Sequence, residues 1–146
     1  INDLQDPSKK MSKSAENPNG AVFLSDDRDT VIRKFKRAVT DSGAEIKFDP
    51  ENKQGVSNLL SIYSAFTGKT VEAAEADFAG RGYGEFKLAV GEAVADRLAP
   101  IQAEQAKLLA DKAYLDKILR LGAERAAYAA NKTLAKVYKK IGFYQL

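Results

Sequence analysis

At 146 residues, 45% apolar and 29% charged, the chain is long enough for one domain with a packed core and too apolar to be disordered. It contains no cysteine and no histidine, which excludes disulfides, thiolate or imidazole metal sites, and any Ser-His or Cys-His catalytic arrangement. The net charge is +3, yet residues 112–146 alone carry eight basic against two acidic side chains, so the positive field belongs to the carboxy-terminal stretch and favours a polyanionic partner.

No apolar run approaches the roughly 18 to 20 residues that a membrane-spanning helix requires. A cytoplasmic protein with no membrane partner is therefore expected. The chain opens on Ile1 inside a polar loop, as expected of a fragment of a longer protein. Its first twenty residues carry the turn dipeptides Asp6-Pro7, Asn17-Pro18 and Asn19-Gly20, which hold Lys10-Met11-Ser12-Lys13-Ser14 in a loop. Two ammonium groups three residues apart, with two hydroxyls and nearby backbone N–H groups, suit a phosphate; a solvated basic turn has the same composition.

Ser25-Asp26-Asp27-Arg28-Asp29 then supplies N-cap candidates for a helix through Val31, Ile32, Phe35, Ala38 and Val39, with Lys34, Lys36 and Arg37 off its apolar stripe and toward solvent. Thr40-Asp41-Ser42-Gly43 is expected to end that helix, and Ile46–Pro50 to form an extended connector. A second helix carries Val56, Leu59, Leu60, Tyr63 and Phe66 on one face and stops at Thr67-Gly68. Thr70 caps a short third helix with Val71, Ala74 and Phe78 inward.

Three glycines within Gly80-Arg81-Gly82-Tyr83-Gly84 predict a tight corner between helices. A fourth helix follows, with Phe86, Val90, Val94, Leu98 and Ile101 inward, and Pro100 is expected to kink or end it. Asp111 caps the last helix, whose stripe of Leu115, Ile118, Leu119, Gly122, Ala126, Ala130, Leu134, Val137 and Ile141 is expected to be core, with Gly122 admitting a closely packed helix. Arg125, Tyr128, Lys132, Lys136 and Lys139 fall on one strip of that helix. A basic ridge with an interleaved aromatic suits RNA, and a solvated face with snorkelling lysines reads the same way.

The run Leu4-Gln5-Asp6-Pro7-Ser8-Lys9-Lys10-Met11-Ser12-Lys13-Ser14 resembles the second signature of class I aminoacyl-tRNA synthetases. Ala38-Val39-Thr40-Asp41-Ser42, Gly55–Tyr63, Gly80–Lys87 and Gly122–Ala126 follow in the order found in the tryptophanyl-tRNA synthetase family, and the Thr-Asp-Ser and Ser-Asn-Leu-Leu elements favour it over the tyrosine-specific relative. The resemblance implies an all-α helical bundle of the anticodon-binding type, residues 25–146. Residues 1–24 would be a loop from the end of a Rossmann domain missing from this chain.

The same resemblance implies ATP-dependent activation of tryptophan and its transfer to tRNA(Trp), with Mg2+ as cofactor and a homodimeric full-length enzyme. It assigns Lys10 and Lys13 to catalysis, Lys10, Met11, Ser12, Lys13 and Ser14 to ATP, with Met11 packing the loop on the domain, and no residue to a metal. tRNA contacts are placed at Arg125, Tyr128, Lys132, Lys136 and Lys139. The first class I signature needs histidine and cannot be present, so this chain alone is expected to be inactive. A helical RNA-binding module with no enzymatic parent is the alternative.

Overall fold

A computed structural model describes residues 1–143 and builds them from five α-helices: α1 (Arg28–Lys36), α2 (Gln54–Thr67), α3 (Val71–Asp77), α4 (Tyr83–Ala110) and α5 (Lys112–Ile141). A 3₁₀ turn, Pro18–Gly20, precedes them, and the β pairing among the described residues is one isolated antiparallel bridge, Asn2 to Lys10. The all-α expectation holds. By its contacts the chain forms two compact units, Ile1–Gln102 and Ala103–Leu146.

The helices of the first unit begin where side chains can satisfy their orphan N–H groups. Asp27 accepts from the Thr30 amide at 2.7 Å to open α1, and Thr70 accepts from Ala73 at 3.2 Å to open α3. Each then buries an apolar stripe: Val31 and Phe35 of α1, Val56, Leu59, Leu60 and Ile62 of α2, Ala74 of α3, and Phe86, Val90, Val94 and Leu98 of α4. Phe78 sits edge-on between Tyr63 and Phe86, at 5.0 and 4.8 Å between ring centres. Burying each of these large side chains contributes roughly 1.5 to 3 kcal/mol, so this cluster supplies most of the unit's cohesion. Leu4, from the loop, is in the same cluster at 1% exposure.

Several expectations need correction. α1 stops at Lys36, before Thr40–Gly43, because Arg37 caps it and the chain turns there to run past α2. Ala38 is buried outside the helix, and Val39 is exposed. Lys34 does not face solvent: it is 5% exposed, donating to the Ala21 carbonyl at 2.8 Å and to Asp26 at 2.7 Å, with its ammonium over the Phe23 ring. A charge that deep is tolerable only with such partners, and removing one typically costs about 3 to 5 kcal/mol. Pro100 does not end α4, which continues to Ala110, and Ile101 is exposed rather than inward. Val71 is only partly covered. Of the three corner glycines only Gly80 takes a positive φ.

In the second unit, Asp111 caps α5 as expected, accepting from the Tyr114 amide at 2.9 Å. Its stripe is not core. No residue of α5 is buried, Leu119 is 70% exposed, and a side chain at Gly122 would meet nothing within 4 Å. Periodicity fixes which residues share a face and not what covers that face.

Two tertiary constraints shape the connector. The chain at Val39 crosses the first turn of α2 so closely that a Cβ on Gly55 would lie 2.1 Å from the Val39 carbonyl oxygen. Asp41 then accepts from Tyr83 at 2.8 Å, from Lys53 at 3.2 Å and from the Gly43 amide at 2.7 Å, tying the Thr-Asp-Ser segment to the starts of α2 and α4. Burial pushes the Asp41 carboxyl upward, but the bonds from Tyr83, Gly43 and Lys53 outweigh it and hold the group below its ordinary value.

Gly55→Ala is expected to destabilise the fold by about 1 to 3 kcal/mol despite the better helix propensity of alanine. Gly84→Ala, with open space around it in the first turn of α4, should stabilise by up to about 1 kcal/mol. Urea unfolding of the two variants measures both signs. For Asp41, a folded-state carboxyl below the ordinary 3.8 stabilises the fold above that pH, and the contribution disappears as pH falls through the lowered value. Thermal melts should therefore show Asp41→Asn less stable than the parent at pH 7, with the gap closing toward pH 2.

Candidate functional site

Residues 1–20 form a loop whose two ends are fastened together. The Leu4 amide donates to the Gly20 carbonyl at 2.9 Å, and the Val39 amide donates to the Leu4 carbonyl at 2.7 Å. Asp3, 7% exposed, accepts from the Gln5 and Asp6 amides at 2.7 and 3.1 Å, and its carboxylate fills the space beside Gly20 where a Cβ would fall 2.1 Å away. A side chain at position 20 would force the Asp3 carboxylate to move. A turn at Asp6–Lys9 sends the chain back along its own start: the Asp3 amide donates to the Lys9 carbonyl at 2.9 Å and the Met11 amide to the Ile1 carbonyl at 3.3 Å.

The three lysines of this loop have different environments. Lys9 is neutralised by Asp6, 2.8 Å away; the Lys9 ammonium, then the Ser8 hydroxyl, hold the Asp6 carboxyl below its ordinary value, while Asp6 pushes Lys9 up. Lys10 and Lys13 are exposed and belong to no ion pair among the described residues. Lys10 lies on the bridged ribbon, whereas Lys13 sits in the turn beyond it, closed by the Ala15 amide donating to Ser12 at 3.3 Å. Across that turn the Ser12 and Ser14 hydroxyls face each other at 3.2 Å. Met11, between the lysines, is partly buried against the core, lining an apolar cleft of about 190 Å³ with Val22, Phe35 and Phe66.

Sequence reading missed the supports of this loop: Leu4, Asp3, the Asp6–Lys9 pair, and Asn58 on α2, whose side-chain amide brackets the Asn2 backbone. Helical periodicity gave no signal for Asn58: at about 100° per residue it lies roughly 160° round α2 from Val56 and Leu60, off the apolar face, and what covers it is the loop bonded to it. The loop as a whole presents two unpaired cations and two hydroxyls on a tip whose base is fixed, an arrangement that can meet a polyphosphate without first losing an internal ion pair.

In the second unit, α5 is helical throughout 112–141, so Arg125, Tyr128, Lys132, Lys136 and Lys139 do share one strip, roughly 21 Å long at 1.5 Å per residue. All five are exposed, Tyr128 at 72%. No acidic residue pairs with any of them among the described residues. No three carboxylates, imidazoles or thiols converge anywhere among the described residues, so these side chains do not build a metal cage. No described helix is long and apolar enough to cross a membrane.

The class is given by similarity to known proteins. The family model described as tRNA synthetases class I (W and Y) matches residues 1–99. The chain belongs to that family of class I synthetases. It is 50% identical over 145 residues to the tryptophan–tRNA ligase of Leifsonia xyli subsp. xyli, covering 99% of this chain and 43% of that protein. Against the tryptophan–tRNA ligase of Clostridium tetani it is 48% identical over 143 residues, covering 98% and 42%. The crystal structure of tryptophanyl-tRNA synthetase from Mycoplasma pneumoniae superposes with a TM-score of 0.76 at 34% identity, covering 96% of this chain and 42% of that one. The chain thus spans about two fifths of the length of the relatives it matches.

Proposed function

We propose that this chain acts as the carboxy-terminal part of a cytoplasmic tryptophan–tRNA ligase: residues 1–24 supply the signature loop at the end of the nucleotide-binding domain, and residues 25–146 the helical tRNA-binding part. The loop carries the reading, because Lys10 and Lys13 stand exposed and, among the described residues, unpaired, while the adjacent Lys9 is taken by Asp6. When the carboxylate of tryptophan attacks the α-phosphate of ATP, the new acyl–phosphate bond forms as the bond to pyrophosphate breaks, and negative charge grows on the departing group. Ammonium groups aimed at that charge lower the barrier more than groups that bind ATP equally in both states.

Lys13, in the turn, can follow the phosphates as the loop closes; Lys10, on the ribbon, is the fixed member. Ser12 and Ser14 donate to phosphate oxygens, and Met11 seats the loop on the core. Mg2+ would travel with the phosphates, since among the described residues no three carboxylates converge to hold it. On α5, Arg125, Lys132, Lys136 and Lys139 meet phosphates of tRNA(Trp), with Tyr128 free to stack on an unpaired base. The full-length enzyme would be a homodimer, and the chain alone inactive.

In the full-length enzyme, Lys13→Ala should lower the rate of adenylate formation about 100-fold while changing ATP affinity less than about threefold. Pre-steady-state kinetics separates the two, and a change confined to ATP affinity would remove the transition-state role. For the strip, Lys132→Glu with Lys136→Glu should weaken tRNA(Trp) binding at least about tenfold at low salt and reduce the dependence of log K on log salt by about two phosphate contacts. A titration that leaves both quantities unchanged removes α5 from the RNA interface.

A further inference from the structure

Asn58 stands out among the buried polar groups because both its described side-chain bonds go to the backbone of one residue outside its own helix. It is 7% exposed, on the second turn of α2. Its Oδ1 accepts from the Asn2 amide at 2.8 Å, and its Nδ2 donates to the Asn2 carbonyl at 2.9 Å. A side-chain amide pairing with both polar groups of one residue imitates a neighbouring strand and fixes that residue's position along the chain. Asn2 is also the residue bridged to Lys10. Its neighbours complete the ribbon, Asp3 bonding to Lys9 and Met11 to Ile1.

We infer that Asn58 is a positioning residue which, through the backbone of Asn2, sets where Lys10 stands for the phosphates of the bound nucleotide. This rests on the role proposed above for the signature loop. Of the two unpaired lysines only Lys10 lies on a bridged backbone, so its placement is inherited from whatever holds Asn2, and α2 does so through one side chain. Loss of the clamp would leave the core intact, because Asn2 is exposed and water can replace both bonds at its backbone. The ribbon would lose its register instead. For a group required to meet developing charge, a misplacement near 1 Å costs on the order of 100-fold in rate.

Asn58→Ala is compared with Ser57→Ala, its neighbour on α2, whose hydroxyl accepts from the Asp49 amide at 2.8 Å and so holds the connector rather than the ribbon. In the 146-residue chain, hydrogen exchange at the Asp3 and Met11 amides should quicken at least tenfold in Asn58→Ala and stay unchanged in Ser57→Ala. Equal protection in all three proteins overturns the clamp, whatever the loop does. Asn58→Leu, of similar volume, replaces the alanine variant if that variant does not fold.

In the full-length enzyme, Asn58→Ala should lower kcat for pyrophosphate exchange at least tenfold with KM for ATP within twofold. Combined with Lys10→Ala it should add less than twofold, since its effect acts through that lysine. Multiplicative losses in the double variant overturn the inference. If Lys10→Ala alone is silent, the catalytic role of that lysine falls, and the positioning role with it. The exchange result would then show that the clamp exists without that purpose, which separates failure of the loop assignment from failure of the clamp.

Discussion

Leu4 is the residue on which the rest of the first unit depends. Its side chain is in the core at 1% exposure, its amide binds Gly20 at the far end of the loop, and its carbonyl receives Val39 from beyond α1. Three segments distant in sequence therefore meet at one residue, and both of its backbone polar groups are satisfied without strand or helix. Buried backbone groups must be paired, so neither the loop base nor the Val39 crossing can shift without exposing the other. That crossing in turn demands the glycine at position 55, where α2 begins.

Charge in this protein is sorted by depth. Lys34 is interior and fully partnered, and it holds the segment that leaves the loop to the helix that follows it. Lys9 is exposed but paired; at the surface such a pair adds little stability. Its consequence is selection: of three lysines within five residues, two remain with undivided charge. The same economy of pairing holds on α5, where the strip from Arg125 to Lys139 has no acidic partner among the described residues.

The two units differ in what their periodicity produces. In α2 and α4 the apolar stripes are buried, and the packing is tight enough that a Cβ on Gly91 would come within 3.2 Å of α1. In α5 the stripe is nowhere buried, and from Ile118 onward it is exposed. Helix formation needs only local hydrogen bonds, a cap at Asp111 and good helix formers, all of which α5 has. Coverage of a helix is a separate event that needs a second surface.

Local chemistry made the helices, their caps at Asp27, Thr70 and Asp111, and the loop around Lys10–Ser14 legible from the sequence. Each depends on residues within four positions of one another, and side-chain caps and turn formers act over that range. The depth of Lys34 was not legible, because Ala21 and Asp26 are brought to it by the fold, nor was the exposure of the α5 stripe, because periodicity does not say whether a second surface covers a face. The end of α1 at Lys36 and the continuity of α4 through Pro100 likewise emerged only in the structure. The candidate site divides along the same line. The sequence by itself determined which residues carry charge in the loop and on the strip. Only the tertiary structure decided that Asn58 and Leu4 fix the loop's base. Those are through-space contacts, some between residues more than thirty positions apart, and no local spacing rule encodes them.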